Sequence, residues 1–249
     1  EGLYAIYDLG GGTFDISLLQ LSRGVFEVVA TGGDSALGGD DVDHVLADAA
    51  LSDAKLEAVT PQDKRAVLVA ARAAKERLST DGATHLSCAL SGGMLSVRIT
   101  RERLQQLAQP LIDKTLSAVR RVLRDAKVKP DEVQGVVMVG GSTRMPMVQT
   151  MLEEDSGLKV DRSLSPDEAV AHGAALYAGL LIARQDESPS KPSKPAMSVR
   201  NVSSHDLGVL SKDPVTGRPM NSVMIPRNTV LPVTKGKRYR TAKLGQKNI

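Results

Sequence analysis

The sequence predicts an α/β fold: a mixed sheet with flanking helices over residues 1–183, a linker over 184–198, and a differently built part over 199–249. Three observations carry this reading. Short apolar runs ending in glycine turns alternate with longer stretches of helical periodicity. The charge divides: of 32 Lys/Arg and 29 Asp/Glu, 13 and 4 fall from Arg184 onward, so an acidic part precedes a basic one. Between them, Glu187–Pro195 is a Pro/Ser/Lys spacer by composition.

In chain order, residues 4–8, 14–21 and 25–31 read as three strands joined by tight turns, an antiparallel meander. A second glycine-rich loop, Thr31–Asp41, leads into a helix whose first turn holds Asp40, Asp41 and Asp43. Acids there favour the positive end of the helix dipole, a reading preferred to a metal cluster. Thr60-Pro61-Gln62-Asp63 has the cap, first-turn proline and acidic third position of a helix start, and the helix runs to about Leu78. Residues 84–90 and 94–99 form a hairpin around Ser91-Gly92-Gly93. Thr100 caps the next helix, and Pro110 is expected to split it near Gln109. Val136–Val139 is a buried strand ending in Gly140-Gly141, and Ser165-Pro166-Asp167-Glu168 is a capping box before a run of small apolar residues.

The chemistry concentrates in Asp8-Leu9-Gly10-Gly11-Gly12-Thr13-Phe14-Asp15. Glycines let main-chain N–H groups approach a ligand, and successive N–H groups make an anion site. Asp8 cannot hold phosphate directly, but a carboxylate can hold Mg²⁺ or its water shell beside phosphate oxygens. Thr13 adds a hydroxyl and Asp15 a second carboxylate. A glycine run alone also fits a hairpin turn, and neither G-x-x-x-x-G-K-[ST] nor G-x-G-x-x-G occurs here. The longer string is more specific. A second glycine pair, Gly140-Gly141-Ser142-Thr143-Arg144, again follows a strand and precedes a helix, where backbone N–H groups face a ligand.

The Asp8–Asp15 string resembles the second phosphate loop of the DnaK-type heat-shock chaperones, within the actin and sugar-kinase ATPase superfamily. Gly140–Pro146 resembles that family's adenosine motif, and Ser165–Leu176 its second hinge helix. The Thr31–Asp41 loop is closest in flavour to the HscA-like branch. The resemblance implies a ribonuclease-H-like (actin-like ATPase) lobe, the second of two, followed by the start of a peptide-binding β-sandwich. It implies an ATP-dependent chaperone of the protein-folding or iron–sulfur-assembly type, using ATP or ADP with Mg²⁺, and K⁺ as a further candidate ion. Asp8, Thr13 and Asp15 then carry the catalytic roles, with Asp8 and Asp15 serving Mg²⁺ or its water. Gly10, Gly11 and Gly12 hold phosphate; Gly140, Gly141, Ser142 and Arg144 hold adenosine, with Lys75, Ser79 and Asp167 lining it. For Lys75 and Ser79 a solvated helix face, and for Asp167 dipole stabilisation, stand as alternatives that need no ligand. Arg72 stands where the family has glutamate and Glu76 where it has arginine. Expected partners are client peptides, a J-domain co-chaperone and a nucleotide-exchange factor. The first lobe is expected to be missing from this chain, so ATP hydrolysis belongs to the full-length protein and turnover by the fragment is nearly absent. A non-hydrolysing nucleotide-binding or scaffold module is the second reading.

Composition narrows the classes further. Apolar content of 41% with 24% charge is that of a soluble globular protein, and 2% aromatics leave little for stacking on single-stranded nucleic acid. The basic residues from Lys235 to Lys247 therefore read as a solvated face. Cys88 is the single cysteine, which fits a reducing, cytoplasmic setting, and the four histidines lack metal-ligand spacing. No apolar run approaches about 20 residues, so no membrane span is expected. Glu1-Gly2 leads almost directly into a strand, as in a piece of a longer chain.

Overall fold

The structure, a computed structural model, describes residues 1–185, 198–213 and 215–238. The spacer Glu187–Pro195 and most of the basic stretch from Lys235 lie outside the described residues. Three strands, β1 (Gly2–Leu9), β2 (Phe14–Ser22) and β3 (Val25–Asp34), form the expected antiparallel meander. Alternate residues of β1 are buried, as a period of two requires, and Tyr7 is fully enclosed. Helix α1 is Gly39–Ala54 and α2 is Pro61–Arg77; the hairpin strands β4 (Ala83–Leu90) and β5 (Gly93–Thr100) follow. Then come α3 (Arg101–Ala126), β6 (Val133–Val139), α4 (Pro146–Ser156), β7 (Val160–Asp161) and α5 (Ala169–Gln185). Strands β8 (Ser198–Arg200), β9 (Leu207–Lys212) and β10 (Pro219–Ile225) complete the described chain.

One six-stranded mixed sheet runs β7-β6-β1-β2-β3-β8, with β6 parallel to β1 and β8 parallel to β3. Helix α3 crosses β2 and β3 and packs against α1 and α4, while α2 lies on β4. Tyr7 joins sheet to helix. Its ring meets Phe14 at 4.7 Å between centroids, and its hydroxyl donates to Thr115 Oγ1 at 2.6 Å, because Thr115 spends its own proton on the Ile112 carbonyl. Burial pushes the Tyr7 phenol far above its usual range, so it stays a neutral donor.

The break expected at Pro110 does not occur: α3 continues through it. Proline removes one helical N–H, but Pro110 is exposed and the stripe Leu104, Ala108, Ile112, Leu116, Val119 and Leu123 holds both halves on one core. Packing overrides the local penalty. Cys88 is half-buried and packs against the core.

The start of α2 is fixed by a capping box between Thr60 and Asp63, which also accepts from Ser91 N at 2.8 Å and Ser91 Oγ at 2.6 Å in the hairpin turn. Ser91 and Thr60 together hold the Asp63 carboxyl well below the usual carboxylate range. A carboxyl lowered in this way stabilises the fold above the unfolded-state value near about 4 and loses that effect as pH falls through its own. Asp63→Ala should therefore lower the melting temperature at pH 7, with the gap to the parent narrowing in thermal scans below about pH 4.

Helix α5 differs from the others. Its sequence is strongly apolar, yet Val170, Leu176, Tyr177 and Ile182 are 63%, 66%, 48% and 60% exposed.

Candidate functional site

Three loops that are distant in sequence meet on one carbonyl. The turn between β1 and β2 closes through Gly10 N donating to Thr13 O at 3.0 Å. Gly10 O then accepts from Gly39 N at 2.9 Å and from Ser142 Oγ at 2.9 Å, while Asp40 N donates to Gly11 O at 2.7 Å. The first contact comes from the start of α1, the second from the turn after β6. That turn is anchored by Gly140 N on Pro166 O at 3.1 Å and by Thr143 Oγ1 on Gly140 O at 2.7 Å. Approach this close needs bare backbone. A Cβ at Gly140 would lie 2.4 Å from Leu9 O, and its φ of +86° is left-handed as well.

Of the residues singled out in the sequence, Gly11, Gly12, Thr13 and Asp15 are exposed at the loop's outer side, with nothing within 4 Å of a Cβ at Gly12. Asp8 faces Asp15 across the β1–β2 pair. Burial, and then the Asp15 charge, push the Asp8 carboxyl up from its ordinary value. Among the described residues no group of three or more His, Cys, Asp or Glu could hold a metal ion, so Asp8 and Asp15 form a pair.

A cleft of about 990 Å³ opens beside the loop, lined by Gly11, Lys75, Ser79, Gly141, Ser142, Arg144 and Asp167 among others. It gathers most of the predicted adenosine-side residues onto one surface. Arg144 lies at its rim, more than half exposed, with Nε donating to Asp167 Oδ2 at 2.8 Å. Ser79 is half-buried on the α2 side. Lys75 is only 7% exposed, its Nζ 2.8 Å from Gly39 O and 2.7 Å from Asp43 Oδ1. Arg72 bridges Asp40 and Asp43, and Glu76 also lines the cleft.

Two features escaped the sequence reading. The acids at the start of α1 do more than face a helix end: Asp43 is 2% exposed and pairs with two cations of α2, Arg72 and Lys75. The signal was present as Asp40-x-x-Asp43 and Arg72-x-x-Lys75, matching three-residue spacings of opposite sign. The far wall, with Val160, Asp161 and Leu164, had no signal, because only the fold of β7 beside β6 brings it to the cleft.

No helix among the described residues is long and apolar enough to cross a membrane. A model of the Hsp70 protein family matches residues 1–249. The chain is 51% identical, over 99% of its length, to the chaperone protein HscA homolog of Methylibium petroleiphilum. The HscA homologs of Variovorax paradoxus and Acidithiobacillus ferrooxidans are each 44% identical over 99% of the chain. The chain spans 38% of the length of each of these relatives. With its six-stranded mixed sheet and flanking helices, the chain belongs to the Hsp70 family, among the chaperones of DnaK and HscA type.

Proposed function

We propose that this chain is the second lobe of the ATPase of an HscA-type chaperone, gripping ATP or ADP in the cleft beside Gly10–Thr13 and passing its state to a client-binding segment. The observation that carries the reading is the convergence of three loops on the Gly10 carbonyl, which fixes a glycine loop at the mouth of a nucleotide-sized cleft. Gly10, Gly11, Gly12 and Thr13 take the phosphates; Gly140, Gly141, Ser142 and Arg144 take adenosine, with Ser79 and Asp167 lining it. The Asp167 carboxylate sets the plane of the Arg144 guanidinium, a geometry suited to lying against a base.

Asp8 and Asp15 fit Mg²⁺. Two close carboxylates, one with its charge disfavoured by burial, match an ion that uses one or two carboxylates and completes its shell with water and phosphate oxygens. Bound there, Mg²⁺ would neutralise phosphate charge. The chain's own part is positioning, and phosphoryl transfer depends mostly on positioning and charge. Half of the cleft therefore binds weakly and turns over hardly at all. The bare apolar surface of α5 supports the same reading, since a first lobe supplied elsewhere in the full-length protein would cover it.

Two contacts support coupling to the client segment. Strand β8 adds to the sheet edge at Val25–Glu27, and Asn228 Oδ1 accepts from Thr31 N at 3.3 Å on the same strand. This contact lies beyond the polar spacer, so the spacer does not exclude signalling. The seam is imperfect: Thr31 Oγ1 and two guanidinium nitrogens of Arg227 are buried without hydrogen-bond partners among the described residues. Unmet polar atoms of this kind cost about 1–3 kcal/mol each, which keeps docking reversible. Client peptides, a J-domain co-chaperone and an exchange factor are the partners on this reading, with iron–sulfur assembly the service suggested by the relatives' HscA name.

Calorimetry with Mg²⁺ and ATP or ADP tests the proposal on this chain and on Arg144→Ala. The expected result is weak binding that the substitution reduces by about tenfold, as loss of a desolvated stacking cation does. A folded chain that stays silent even with a first lobe added would overturn it.

A further inference from the structure

We infer that Arg101, outside the nucleotide cleft, is a positioning residue: its side chain holds the turn that presents Ser79 to a bound nucleoside. The inference rests on the nucleotide reading above and adds to it the junction of α2, α3 and the β4–β5 hairpin. Helix α2 ends unlike its neighbours. Helices α1, α3 and α4 each finish on a residue of left-handed backbone, Lys55, Lys127 and Gly157, whose N–H turns back onto the last carbonyls. The residue after α2, Leu78, stays right-handed at φ −67° and ψ −9°, and the chain runs on through a turn at 79–82.

The carbonyls left open there are met from outside. Arg101 Nε donates to Leu78 O at 2.8 Å, its Nη2 donates to Asp81 O at 3.0 Å, and its backbone N–H donates to Gly82 O at 2.9 Å. The dipole favours a cation at the carbonyl end of a helix, and a planar guanidinium can grip two acceptors at once. Between those carbonyls lie Ser79 and Thr80, both on the cleft wall. Thr80 spends its hydroxyl inside the turn, on Arg77 O and Asp81 Oδ1. The Ser79 hydroxyl has no partner among the described residues, so of the two it is the one left for a ligand. Arg101 is half-buried and does not line the cleft. It therefore sets where that hydroxyl points without touching the nucleotide.

The test compares Arg101→Met and Arg101→Lys with the parent chain. Amide hydrogen exchange without ligand is followed at Ser79, Thr80 and Asp81, whose N–H groups donate to Glu76 O, Arg77 O and Arg77 O. Adenosine and ADP are titrated separately. Arg101→Met removes both side-chain donors, so those three amides should lose protection while Gly39, Asp40 and β6 keep theirs. Adenosine and ADP should both weaken about tenfold and in step, within the usual range of coupling between sites. Arg101→Lys keeps the charge but lacks the fork that spans two carbonyls, and should recover part of both losses. It also carries the comparison by itself where the Met variant folds poorly. Unchanged protection at residues 79–81 in a folded variant overturns the inference. So does a loss confined to ADP, which would place the effect at the phosphate end. Opening that spreads to Gly39 and β6 overturns it too, since Arg101 would then be a general support of the fold. A parent chain that binds neither ligand counts against the nucleotide reading itself and is seen before any variant is made.

Discussion

Gly38→Ala is expected to abolish most nucleotide binding with little change of fold. The backbone at Gly38 is extended (φ −165°), a conformation open to any residue, so strain of the glycine itself plays no part. Contact decides. A Cβ there would stand 2.3 Å from Gly11 O and 2.5 Å from both Gly11 C and Gly12 N. These are backbone atoms of the Gly10–Thr13 loop and cannot rotate away as a flexible side chain can. The loop must lift, and lifting breaks the contacts of Gly39 and Asp40 with Gly10 and Gly11. Overpacking typically costs about 1–3 kcal/mol, and the same displacement should weaken ADP by tenfold or more, since about 1.4 kcal/mol is a factor of ten. Gly82→Ala, where nothing lies within 4 Å of the added carbon, is the control and should leave both readings unchanged. Equal affinities for Gly38→Ala and the parent would show that the loop does not hold phosphate.

Asp8→Asn should have the opposite sign in stability and in function. Burial and the neighbouring Asp15 raise the Asp8 carboxyl above its ordinary value. A carboxyl raised in the folded state favours the fold while protonated, and that benefit is lost as pH rises through its folded-state value. At neutral pH the ionised group is a burden, so the ligand-free Asn variant should melt higher than the parent. The difference should close on acidification into the carboxylate range. With Mg²⁺ present the order should reverse: the gain in ADP affinity that Mg²⁺ gives the parent should fall at least about tenfold in the variant, as at other disrupted metal sites. Thermal scans from pH 4 to 8, and titrations with and without Mg²⁺, measure the two arms. A variant that is no more stable, yet keeps its Mg²⁺ dependence, would remove Asp8 from the metal.

Local chemistry was legible in the sequence, and long-range pairing was not. The meander announced itself through alternation and glycine turns, and α2 through Thr60, Pro61 and Asp63, because each signal lies within a few residues of its effect. Pro110 misled for the same reason: its local cost is real, but it is set against an apolar stripe running the whole length of α3. The glycine loops were visible as loops. That all three meet at Gly10 required the order of six strands, which no spacing along the chain encodes. Lys75 was noticed for its place on the cleft wall, yet its partners, Gly39 and Asp43, lie 36 and 32 residues away in the sequence.

The parallel strand Ser198–Arg200 also closes the outer flank of the sheet. It pairs with Val25, Phe26 and Glu27 of β3, which runs on into Val28 and Val29, a β-branched and aromatic row with one charge. Whenever β8 leaves, that row becomes an open template able to recruit a strand from another molecule. The segment that would carry the nucleotide signal is thus also a guard against self-association, and a chain locked in the released form should be the one that aggregates.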